Sequence, residues 1–112
     1  MKPYVPELVN ELTRIVVTTR NDNPSSEEYD AVVGVEWKRC QELQAVVEAG
    51  QTPSVAQLRA VLVSVLVMLR VKRVPEVEIR ERVDEAFSRC RQGLYPIDRA
   101  AVEDGAWEAG RR

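Results

Sequence analysis

The chain has 112 residues, 45% of them hydrophobic and 30% charged, with 16 Lys and Arg against 18 Asp and Glu. This is enough for one helical domain over residues 1–112 with a modest aliphatic core. The net charge of −2 argues against binding nucleic acid by bulk charge, and equally against an acidic mimic of DNA.

The N-terminal MKPYVPELVNE carries charge and proline where a signal peptide would carry an apolar core, so a cytoplasmic protein is expected. Val5, Leu8, Val9, Leu12, Ile15 and Val16 recur at helical spacing. They predict a first helix over 5–20 that buries one face. Residues 21–26, NDNPSS, form a turn by composition, and Ser25 with Glu28 has the spacing of a capping box. A second helix follows over 26–49, with Gly50 as its stop. Its apolar positions are Tyr29, Val32, Val33, Trp37, Cys40, Leu43 and Val47. Glu36 falls in the middle of that face. A carboxylate buried there must be paired or protonated, and a Glu at the rim whose stem lies along the core to reach an arginine is the expected arrangement. A tuned acid or a polar contact at an interface is the alternative.

The densest apolar run is TPSVAQLRAVLVSVLVMLRVKR, residues 52–73. Thr52 suits an N-cap and Pro53 a first helical position, predicting a third helix over 53–73. Val55, Leu58, Val61, Leu62, Val65, Leu66 and Leu69 form one broad face. Ala56, Ala60, Val63, Val67 and Val71 form a second stripe. A helix apolar nearly all round is buried on two sides, so it is central to the bundle or its second stripe meets another chain. A strand is the rival, because the valines of 61–71 alternate with other residues and valine favours strands. The unbroken apolar run is far shorter than the roughly 20 residues a bilayer crossing needs, so no membrane association is expected.

Pro75 opens a fourth helix over 75–92, closed by Gly93. Ile79, Val83, Ala86, Phe87 and Cys90 make its narrow apolar stripe, and the opposite face alternates in charge. Residues 94–112 read as a peripheral tail with a short helix after Asp98, from which Ile97, Val102 and Trp107 fold back. The expected fold is therefore an all-α compact bundle of about four helices with a short C-terminal helical appendage.

The sequence contains no histidine, which removes the commonest general base and the commonest metal ligand. Cys40 and Cys90 each fall on an apolar face and read as buried hydrophobes, with a disulfide as the alternative. Two thiols and no histidine leave a zinc tetrahedron half empty. Nucleotide-binding, hydrolase and calcium-loop motifs do not occur, so neither a cofactor nor an enzymatic activity is expected.

Arg70, Lys72 and Arg73 form the one local excess of positive charge. They suit the C-terminal end of a helix dipole, or an acidic or phosphate-bearing partner. AGQTPSVAQLR, residues 49–59, resembles the turn and following helix of plasmid KfrA-type and other helix-turn-helix DNA-binding domains. That resemblance implies a small DNA-binding regulator using the 53–73 helix and the basic cluster. The sequence departs from it at Val61, where a recognition helix would expose polar side chains to bases. The leading expectation is a non-enzymatic protein–protein interaction module: an adaptor, inhibitor or assembly component that forms a homodimer and binds an unidentified protein. Its expected contact residues are Ala56, Ala60, Val63 and Val67, with Tyr29 and Trp37 at the edge and Arg70, Lys72 and Arg73 as the charged part.

Overall fold

The computed structural model describes residues 4–19, 27–90 and 98–111. These hold six helices and no strand: α1 (Tyr4–Thr19), α2 (Glu27–Glu48), α3 (Val55–Val71), α4 (Glu76–Arg89), α5 (Arg99–Glu103) and α6 (Ala106–Ala109). The all-α expectation holds. The strand reading of 61–71 fails because apolar side chains occupy nearly every direction around α3, and tertiary burial overrides the strand preference of valine.

α3 is the axis of the fold and touches each of the other five helices. Leu58, Val61, Leu62, Val65, Leu66 and Leu69 are all at or below 2% exposure. Each such side chain contributes about 1.5–3 kcal/mol on burial. α2 makes the most extensive contact with α3, while α4 packs chiefly on α1. Leu8, Val9 and Leu12 of α1 and Ile79, Val83 and Phe87 of α4 complete the core. Between α1 and α2, Gln44 Nε2 donates to Thr13 Oγ1 at 3.0 Å.

The start of α3 differs from expectation. Its N-cap is Ser54, not Thr52. Ser54 Oγ accepts from the Gln57 N–H at 3.1 Å, and Gln57 Oε1 accepts from the Ser54 N–H at 2.8 Å. This reciprocal box satisfies two orphan donors, which Thr52 cannot match, and leaves Pro53 outside the helix. Gly50, at φ +81°, stops α2: its N–H reaches the Val47 carbonyl and that of Gln51 the Val46 carbonyl. Arg73 occupies the same left-handed position after α3, at φ +64°, with the Arg73 and Val74 N–H groups bonded to the Arg70 and Leu69 carbonyls. Pro75 is the N-cap of α4 and not its first residue. The 21–26 turn with its Ser25–Glu28 box, the Gly93 stop and Ile97 lie outside the described residues.

The tail folds back on the bundle, as Val102 and Trp107 lead one to expect. α5 and α6 pack on α3, and Val102 and Ala106 are fully buried. Asp98 caps α5 by accepting from the Ala101 N–H, and Gly105 at φ +70° turns the chain into α6. The second side of α3 is thus covered partly from within the chain.

Candidate docking surface

Two arginines of α3 hold the tail. Arg59 Nη2 donates to the Ala101 carbonyl at 2.6 Å, and Arg70 Nη1 to the Trp107 carbonyl at 2.8 Å. Arg70 also grips Glu76 through both carboxylate oxygens, at 2.7 and 3.2 Å. That bond holds the Glu76 carboxyl below its usual range. The Trp107 ring lies under the Arg80 guanidinium, 4.3 Å from its centroid, and its Nε1 donates to Glu103 at 2.7 Å. Arg99 pairs with Asp84 of α4 and with Glu103, and stacks over Phe87.

This arrangement redistributes the expected contact residues. Val67 is buried at 3% exposure, beside Gly110 and Arg111, and so is not part of an open stripe. Lys72 is buried at 5% exposure, and Arg70 is spent on Glu76 and the tail. Of the basic cluster, Arg73 is the member left exposed. The sequence could not show this, because Arg70 finds its carboxylate across a turn and its carbonyl on a distant helix. Ala56 and Ala60 are exposed and Val63 is half-buried. Trp37 is half-buried against the core, and the side chain of Tyr29 lies outside the described residues.

What remains open on α3 is a strip of Ala56, Ala60 and Val63. Beside it, α2 and α3 enclose a groove of ≈ 350 Å³ lined by Arg39, Glu42, Leu43, Val46, Gln57, Ala60 and Val61. Its floor is aliphatic and its α2 rim is charged. The α1–α4 face carries a second groove, lined by Glu11, Arg14, Glu78, Glu81, Arg82, Glu85 and Arg89 among others. There most of the charges are paired: Arg89 bridges Glu11 and Glu85, and Arg82 pairs with Glu78.

Glu36 lies 3.6 Å from Arg39 Nη1, an arginine partner as expected, but it is buried at 2% exposure and does not sit at the rim. Burial, then the Glu36 charge, pushes the Cys40 thiol up to about 12. Burial, then Glu11 and Glu7, pushes the Cys90 thiol up to about 11. Both cysteines are free thiols. Groups that raise a thiol pKa suppress the thiolate, the form that acts as nucleophile or metal ligand. Among the described residues no helix is long and apolar enough to cross a membrane, and no group of three or more Cys, Asp and Glu is placed to hold a metal ion.

Comparison with known protein families, curated proteins and solved structures finds no match.

Proposed function

We propose that this protein is a non-enzymatic interaction module that self-associates and binds another protein through the open side of α3. The observation that carries the reading is the strip of Ala56, Ala60 and Val63 beside the aliphatic groove of Leu43, Val46 and Val61. α3 is the most apolar of the described helices, and its broad face from Leu58 to Leu69 is covered by its neighbours. Small side chains let a partner backbone approach closely, and a half-buried valine loses little rotamer freedom on further packing. Two further features favour a surface over a catalytic centre: a sequence without histidine and thiols held in the inert protonated form. The DNA-binding alternative draws less support, because Arg70 and Lys72 face inward.

Light scattering over the micromolar range tests the reading. The wild type is expected to be a dimer, and Ala60→Arg a folded monomer with an unchanged helical circular dichroism spectrum. A wild type that stays monomeric at high micromolar concentration overturns self-association.

A further inference from the structure

The groove between α2 and α3 is asymmetric in charge, and the asymmetry points to its occupant. Glu42 is exposed on the α2 side, in the same groove as Gln57, Ala60 and Val61. On a wheel of about 100° per residue, Arg59 stands on the opposite flank of the Ala56, Ala60 and Val63 strip, toward the tail it holds. Among the described residues, no carboxylate lies within 4.0 Å of the Arg59 guanidinium and no cation within 4.0 Å of the Glu42 carboxylate. Arg59 Nε is buried and makes no hydrogen bond. The remaining charge in the groove, Arg39, lies against Glu36.

We propose that a second copy of this chain occupies the groove, the two α3 helices side by side and parallel about a two-fold axis, so that Arg59 of each copy pairs with the partner's Glu42. This rests on the self-association reading above and fixes its geometry. When two identical faces meet, their two-fold axis lies in the contact plane. An axis running along α3 exchanges the two flanks and sets the Glu42 side of one copy against the Arg59 side of the other. An axis running across α3 keeps the flanks, and sets Glu42 against Glu42 and Arg59 against Arg59. Opposed unlike charges favour a register and like charges disfavour it, so Glu42 and Arg59 favour the first axis. The levels agree as well. Gln57, Ala60 and Val61, which share the groove with Glu42, bracket Arg59 in sequence, within about one 5.4 Å turn of the helix.

The test is sedimentation equilibrium of the full chain as wild type, Arg59→Glu, Glu42→Arg, an equimolar mixture of the two variants, and Ala60→Arg. Each charge reversal is expected to weaken the dimer about tenfold or more. The mixture is expected to dimerise again, because both pairs in the mixed dimer are once more of opposite sign. Arg59 also holds the tail, so Arg59→Glu alone is ambiguous. Glu42→Arg breaks no bond within the chain, and recovery in the mixture demonstrates that both variants are folded. Charge variants that dimerise like the wild type, or a mixture that stays monomeric, overturn this register. If Ala60→Arg abolishes association in that case, the docking surface itself stands. A monomeric wild type, or an Ala60→Arg variant that still dimerises, removes the surface and the register together.

Discussion

Gly110 lies so close to Leu66 that a Cβ added to the glycine would stand 2.8 Å from the Leu66 Cβ, and 3.3 Å from both the Ala106 carbonyl oxygen and Arg70 Nη1. Two of those three atoms belong to α3 and one to the tail itself, so the added carbon is caught between them. Gly110→Ala is therefore expected to lift α6 and to destabilise the fold by about 1–3 kcal/mol, the usual range for overpacking. A thermal melt measures the loss, and a change in Trp107 fluorescence places it at the tail. An unchanged melt would mean that the tail shifts without consequence.

Arg73 is the opposite case. It holds a left-handed backbone, φ +64°, that glycine adopts freely. Its N–H closes the end of α3 on the Arg70 carbonyl, and its side chain is exposed. Arg73→Gly is expected to stabilise the fold by about 1 kcal/mol, read from the midpoint of urea unfolding. A lower midpoint would show that the Arg73 side chain contributes more than its backbone strain costs.

The thiols give a chemical readout of the core. Cys40 and Cys90 are at 0% and 1% exposure, with pKa values pushed to about 12 and about 11. Native protein at pH 8 is expected to react with a disulfide reagent only as fast as it opens, and unfolded protein to titrate two thiols at once. Immediate reaction of either cysteine in the native state contradicts its burial.

Glu76 predicts an acid dependence. The Arg70 hydrogen bonds favour its ionised form, so its pKa in the folded chain lies below the usual 4.5. As the pH falls below that value, the unfolded chain takes up the proton first and the folded chain resists it. The stabilisation is thus complete above about pH 4.5 and is lost as the pH drops through the lower folded-state value. The pair is half exposed and screened, so its contribution is under about 1 kcal/mol. Glu76→Gln should flatten this part of the stability–pH curve, lowering stability slightly at neutral pH and leaving it unchanged at the acid end, as urea midpoints across the pH range would show.

Local rules carried the reading of the helices a long way. The position of α3, its two apolar sides, the Gly50 stop and the arginine beside Glu36 all follow from spacings of a few residues. The Ser54–Gln57 box was also legible, as a Ser followed three positions later by Gln, but Thr52–Pro53 offered a competing start. The tail is legible in part: the short helix after Asp98 and the inward fold of Val102 and Trp107 follow from the sequence, whereas the way it is held does not. Its attachment depends on the carbonyls of Ala101 and Trp107, and backbone acceptors carry no mark in the sequence. The close packing of the tail takes Val67 and Arg70 out of the open surface. Ala56 and Ala60, farther toward the start of α3, stay open.

The separation between α3 and its cover also has a consequence in time. Arg59 and Ala101 are 42 positions apart. At synthesis rates of about 5–20 residues per second, roughly 2–8 s pass between the making of one and the making of the other. For that interval the growing chain can fold α1 and α2 onto α3, while Leu66 and Val67 still lack the helices that shield them. The ribosome thus exposes the most apolar helix of the molecule before supplying its cover, and a crowded polysome is where its mispairing would begin.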